Sequence, residues 1–193
     1  MFKKFYKGFT LIELLIVIAV LGILAIAVLS AINPIEQINR SRDTGSRSDA
    51  EQLLGAIDRY YATAGYYPWK TSPTTPTALD PTDWAIVNAD WDDQVTPVLT
   101  KLSAAGTGEL KASFTTRITA DGYNYLYKYN RGNQGDSTYI CFAPKSSAFR
   151  DEAYLRCRAT LPLDFPASAC PTNDTCTTAV TSGSATGCFS CLP

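Results

Sequence analysis

The stretch Phe9–Ile32, FTLIELLIVIAVLGILAIAVLSAI, is an apolar run of 24 residues that carries one charge, Glu13. Wound as a helix at about 1.5 Å per residue it is roughly 36 Å long, against about 30 Å of bilayer hydrocarbon, so it can span a membrane. Lys3, Lys4 and Lys7 precede the run and no lysine follows it soon. That asymmetry predicts a cytoplasmic start and an exported remainder. A secretory signal peptide shares the basic start, and Ala25-Ile26-Ala27 or Leu29-Ser30-Ala31 could serve it as a cleavage site. The run is longer than the roughly 7 to 15 apolar residues of such signals, and helical spacing resumes beyond Pro34.

The rest of the composition agrees with export. The chain has 193 residues, enough for one domain with an appendage, and 46% of them are hydrophobic, which excludes a disordered chain. With 17 Lys+Arg against 18 Asp+Glu, nothing in the charge suggests a protein that coats nucleic acid. There is no histidine, which removes the usual general base, the Ser-His and Cys-His nucleophile pairs and histidine-ligated metals. All six cysteines (Cys141, Cys157, Cys170, Cys176, Cys188, Cys191) lie in one region, the pattern of a disulfide framework formed outside the reducing cytoplasm.

Glu13 is the anomaly. A lone carboxylate in a bilayer helix costs on the order of 2.5 to 3.5 kcal/mol on insertion scales and marks a functional site by default. It is tolerated if neutral or if it meets a cation within the apolar phase. Cleavage between Gly8 and Phe9 would supply such a cation as a new main-chain amine, from the same chain or from a neighbour displaced along the helix axis.

The segment Lys7-Gly8-Phe9-Thr10-Leu11-Ile12-Glu13-Leu14 resembles the class III signal sequence of type IV pilins and of the pseudopilins of type II secretion. The resemblance implies that residues 1–8 are a cytoplasmic leader, removed after Gly8 by a prepilin peptidase, and that the Phe9 amine is then N-methylated. It also implies that Glu13 contacts the Phe9 amine of an adjacent subunit during assembly into a helical homopolymer. An assembly platform and a motor ATPase would be the further partners. The resemblance extends to about Pro68, where Tyr60-Tyr61 and Gly65-Tyr66-Tyr67-Pro68 are similar to the helix end of these proteins.

The fold expected is α+β. A long N-terminal helix over residues 9–62 has an apolar first half (9–32, the membrane span or filament core) and an amphipathic second half. Ala50, Leu53, Leu54, Ile57, Tyr60 and Tyr61 keep the 3, 4 spacing of one face. Pro34 should kink or loosen the helix, and Gly45 is its weak point. The helix packs on an exported head over 63–193 built on a small antiparallel sheet, with a disulfide-rich tail over 161–193. Phe114–Thr119, Tyr123–Asn130 and Ser137–Ala143 read as strands, the last two joined by a hairpin loop at 131–136. A short helix is expected within Trp91–Ala105, and Tyr154–Thr160 fits a helix or a strand.

For the cysteines, local pairs Cys141–Cys157, Cys170–Cys176 and Cys188–Cys191 make one economical scheme among 15. A zinc site on Cys170, Cys176, Cys188 and Cys191 and a redox pair Cys188/Cys191 are weaker alternatives. Asp80, Asp83, Asp90, Asp92 and Asp93 form an acidic cluster where calcium is a weak alternative to a solvated loop; no other cofactor or metal is expected. Tyr123, Tyr125, Tyr127 and Tyr129 share one strand face that could cover the long helix or stack on nucleic acid, although Lys128 and Arg131 make a thin electrostatic path. Asn173-Asp174-Thr175 matches a glycosylation acceptor by composition.

The leading function is therefore structural, a pilin that sits single-pass in the cytoplasmic membrane, N-in and C-out, and then enters an extracellular filament. The runner-up is a pseudopilin of type II secretion. A membrane-anchored exported binding module comes third, and no defensible catalytic motif supports an enzyme.

Overall fold

The structure, a computed structural model, describes residues 8–72, 84–92, 95–103, 106–132, 135–170, 176 and 187–193. Contacts divide the chain into two units, Met1–Gln37 and Ile38–Pro193.

In the first unit the apolar run forms helix α1 (Leu11–Ala31). The helix stops at Ile32, whose backbone is extended, and a second helix, α2 (Pro34–Ala64), begins two residues later. The long N-terminal helix expected over 9–62 is present with a break at Ile32–Asn33, so Pro34 does more than kink it. A proline disfavours helical backbone in the residue before it, so Asn33 leaves the helix. Asn33 then caps the next one: its side-chain oxygen accepts from the Glu36 N–H at 3.3 Å, and Pro34, with no N–H to leave unsatisfied, suits the first helical position. Gly45 does not interrupt α2, which ends where Gly65, at φ +79°, donates to the Tyr61 carbonyl at 2.8 Å. That left-handed position is one glycine adopts without penalty.

The second unit is organised around one face of α2. Ala50, Leu53, Ala56, Ile57 and Tyr60 are buried in a core with Leu126, Ile140 and Phe142 of the sheet and with Val98, Leu102, Phe114 and Ile118 of two short helices. These are α3 (Val98–Leu102) and α4 (Ala112–Ile118). Tyr61 falls outside this face and is 46% exposed. The sheet is an antiparallel meander of β1 (Trp84–Ile86), β2 (Leu126–Tyr129), β3 (Tyr139–Phe142) and β4 (Ser190–Leu192) in that order. Helix α5 (Ser147–Cys157) follows β3.

Two buried carboxylates fasten α2 to the head. Asp43, fully buried, accepts from the backbone N–H of Lys145 and of Ser146 and from the Ser146 hydroxyl at 2.6 Å. Asp49, 2% exposed, takes a two-pronged contact from Arg117 of α4 at 2.8 and 2.7 Å and a hydrogen bond from the Tyr123 hydroxyl. Burial and the neighbouring Asp49 carboxylate push the Tyr123 hydroxyl well above its ordinary value.

Three sequence expectations are corrected here. Phe114–Thr119 is helical: Leu110, Phe114 and Ile118 recur every four residues and are buried. The threonine hydroxyls of that segment bond back to helix carbonyls, as Thr115 and Thr116 do to Ala112. The tyrosine stripe does not share one face: Tyr123 lies before β2, packs against the α2 core and donates to Asp49 of that helix. Leu126 faces that helix, whereas Tyr125, Tyr127 and Tyr129 belong to a second core on the other side of the sheet, with Tyr139, Cys141, Phe165, Phe189 and Cys191. Tyr127 is 1% exposed beneath Phe189, and Lys128 is buried with its ammonium 4.7 Å from the Trp69 ring centre, so neither is placed to meet nucleic acid.

The third correction is the cysteine pairing, which is Cys141–Cys191, Cys157–Cys170 and Cys176–Cys188. Cys141 and Cys191 are register partners on β3 and β4. A local Cys188–Cys191 link fails because extended chain at about 3.3 Å per residue separates i and i+3 by roughly 10 Å, beyond the reach of a disulfide. With every cysteine bonded in this way, the zinc and redox alternatives fall as well. Of the acidic cluster, Asp80, Asp83 and Asp93 lie outside the described residues, as does Asn173-Asp174-Thr175.

Asp164 ties the loop after α5 to the start of β3, accepting from the Ser137 N–H at 2.7 Å and the Tyr139 hydroxyl at 3.1 Å. The Ser137 N–H holds its carboxyl below the usual carboxylate range. Its stabilisation is therefore present above the unfolded value of about 3.9 and is lost as pH falls through the lower folded value. Asp164→Asn is expected to flatten the acid limb of a stability–pH curve measured by urea unfolding. Peptide mapping without reduction should return the three pairs above, and replacing Cys141 and Cys191 together by serine should lower unfolding stability by about 2–5 kcal/mol.

Candidate functional site

The site begins at the first turn of α1. Thr10 has extended backbone and acts as the N-cap, its hydroxyl accepting from the Glu13 N–H at 3.3 Å. Glu13 reaches back, and its carboxylate accepts from the Thr10 N–H at 2.9 Å and from the Thr10 hydroxyl at 2.8 Å. This is a complete capping box, two residues satisfying each other's polar groups at a helix end that otherwise leaves N–H groups bare. The positive end of the helix dipole also favours a carboxylate there. Within one chain, then, Glu13 is satisfied by Thr10 rather than by Phe9.

Phe9 stands outside the helix, which starts at Leu11, so the i, i+4 geometry that would join Phe9 to Glu13 does not apply. Its side chain is 85% exposed, and Gly8 is exposed beside it. The scissile-bond candidate Gly8–Phe9 is accordingly in open, non-helical chain, the conformation a peptidase needs to grip. Thr10 is the residue that sequence reasoning missed. Its signal was present, since Thr-x-x-Glu before an apolar run is a helix-start pattern in its own right.

The remainder of α1 is apolar on all sides. Its large side chains from Leu11 to Leu29 are exposed along the whole length, with no polar face, and its 21 residues span roughly 31 Å. The stretch Leu11–Ser30 is long and apolar enough to cross a membrane. A helix hydrophobic all round demands an apolar surrounding, lipid or other helices. What the geometry offers is an apolar rod with a single carboxylate at one end and an accessible backbone just before it.

Residues 3–29 match the family model described as the prokaryotic N-terminal methylation motif. The chain carries the class III signal sequence of type IV pilins and pseudopilins. The methylation motif covers Gly8, Phe9, Thr10 and Glu13 and most of α1. It supports a type IV pilin-like or pseudopilin subunit, with prepilin peptidase processing and pilin-type assembly, and it fits membrane anchoring through α1 before assembly. No curated protein and no solved structure matches the chain.

Among the described residues no group of three or more His, Cys, Asp or Glu is arranged to hold a metal.

Because the Thr10 hydroxyl both accepts from the Glu13 N–H and donates to the Glu13 carboxylate, Thr10→Ala should loosen the first turn at a cost of about 1 kcal/mol, while Thr10→Ser should retain it. Amide exchange at Leu11–Glu13 of the chain in detergent micelles, read by NMR, checks this: faster exchange is expected in the alanine variant alone.

Proposed function

We propose that the chain is a type IV pilin, processed between Gly8 and Phe9, N-methylated on Phe9 and polymerised through α1 into a surface filament. The observation that carries this reading is the exposed apolar surface of α1 behind a methylation motif, with Glu13 as its one charge. Moving such a rod from lipid into a bundle of its own kind exchanges one apolar surrounding for another, so the transfer is close to balanced and a small polar contact decides it.

Glu13 supplies that contact. Cleavage turns the Phe9 nitrogen into a cationic amine, and an amine of a neighbouring subunit is a stronger partner for a carboxylate than the neutral Thr10 donors. A neighbour shifted along the axis until its amine meets Glu13 is thereby held in one register. The head has a structural rather than catalytic role, exported and presented on the filament surface.

A pseudopilin of type II secretion is the second reading, since the same motif serves it. The three disulfides favour the surface fibre, because they harden the head for exposure outside the cell.

Glu13→Ala should insert and be processed normally yet form no filaments, as judged by electron microscopy of sheared surface material. Normal filaments from that variant would reject the mechanism. Mass spectrometry of the wild-type chain should give a mature start at methyl-Phe9, whereas an intact Met1 would indicate a plain anchor. Long surface filaments on overexpression would favour the pilus over the secretion machine.

A further inference from the structure

A pocket of about 260 Å³ lies beside α2, lined by Arg42, Gly45, Ser46 and Asp49 of that helix together with Arg117, Gly122, Tyr123, Asn124 and Lys145. Its charge is unbalanced. Three cations, Arg42, Arg117 and Lys145, face one carboxylate, Asp49, and that carboxylate is already occupied by Arg117 and Tyr123. The nearby Asp43 is committed to the backbone of Lys145 and Ser146, and Asp121, next to Gly122, does not line the pocket. Among the described residues, neither the Arg42 guanidinium nor the Lys145 ammonium has a hydrogen-bond or ion-pair partner. Arg117 spends two of its five N–H donors on Asp49 and is 51% exposed, so it keeps donors for a further acceptor.

A second observation concerns Gly45. Glycine is the poorest helix former after proline, yet it stands in the interior of α2. Packing does not require it, because a Cβ built there meets nothing within 4 Å. What the missing side chain leaves open is the pocket, on the helix face that Arg42, Gly45, Ser46 and Asp49 share by their 3, 4 spacing.

We propose that this pocket binds a phosphoryl oxyanion, held between Arg42, Lys145 and the free edge of Arg117. Guanidinium groups match a tetrahedral oxyanion by paired N–H donors, and a lysine adds a point charge. The volume is just below the roughly 300 Å³ at which pockets for whole small molecules begin, which fits a free phosphate or one lipid headgroup. The site belongs to the second structural unit and is independent of the filament reading.

The test uses the full chain in non-ionic detergent, titrated with inorganic phosphate against chloride of equal ionic strength. Acylation of Lys145 by an amine reagent is read by peptide mass spectrometry, with Lys111, exposed and outside the pocket, as reference. Saturable protection of Lys145 by phosphate and not chloride is expected. Arg42→Gln should weaken it about tenfold or more through loss of charge-assisted hydrogen bonds, and Gly45→Leu should do so by filling the space. Gly45→Ala should fold at least as well as the parent and keep binding.

The same labelling in lipid nanodiscs containing phosphatidylglycerol, without free phosphate, separates the sources. Protection there assigns a headgroup, and protection by phosphate alone assigns the free ion. Absence of protection in both arms, equal protection by chloride, or protection unchanged in both Arg42→Gln and Gly45→Leu would overturn the proposal. So would protection that rises with protein concentration in the absence of phosphate, which would give the pocket to a carboxylate of a second copy.

Discussion

The head depends on one buried face of α2, and that face is not purely apolar. Ala50, Leu53 and Ile57 supply the hydrophobic area, but Asp43, about two turns before Ala50, and Asp49, directly before it, fix where the head sits along the helix. A hydrophobic stripe alone tolerates sliding by a turn. A carboxylate sealed from water does not, because a slid helix would leave it without the donors that compensate its burial. Asp43 fixes the start of α5 through Ser146, and Asp49 fixes α4 through Arg117. The sheet is then held between these anchors.

The two units solve opposite solvent problems. Among the described residues of unit one nearly every large apolar side chain is exposed, and an apolar surrounding is needed to cover them. Unit two buries its apolar residues in two cores, one on each side of a four-stranded sheet. The change occurs around Asn33-Pro34, where a residue that caps and a residue that starts a helix close one segment and open another. Glu13 sits at the far end of the first segment with a local solution in Thr10 already in place. On the proposed filament reading, assembly would have to offer it a better one.

Much of this was readable from residues alone, and the failures share a cause. The apolar run, its carboxylate, the α2 face and the hairpin of β2 and β3 all follow from local pattern. Phe114–Thr119 misled because threonine and isoleucine favour strands, while the deciding signal was the four-residue recurrence of Leu110, Phe114 and Ile118. Of the four tyrosines expected on one strand face, Tyr127 and Tyr129 lie on β2 and Tyr125 joins them in the second core, but Tyr123 packs toward α2, and which face meets that helix is decided by Leu126 and Phe142 across the ladder. The cysteine pairing was out of reach for the same reason, since only the register of β3 with β4 brings Cys141 opposite Cys191. Arg42 and Lys145 are 103 positions apart and converge only in the folded head. Thr10 is different: its Thr-x-x-Glu signal is local and sits at the head of the apolar run, next to the stronger pattern of the span itself.

The disulfides are nested. Cys141–Cys191 encloses a 50-residue separation, and the shorter links Cys157–Cys170 and Cys176–Cys188, with separations of 13 and 12, both lie inside it. A single backbone cut anywhere between the outer pair releases nothing, because both fragments stay joined through the strand ladder's own crosslink. Proteases that nick a loop of this region would thus leave the subunit in one piece, its surface still tethered to the middle of the sheet.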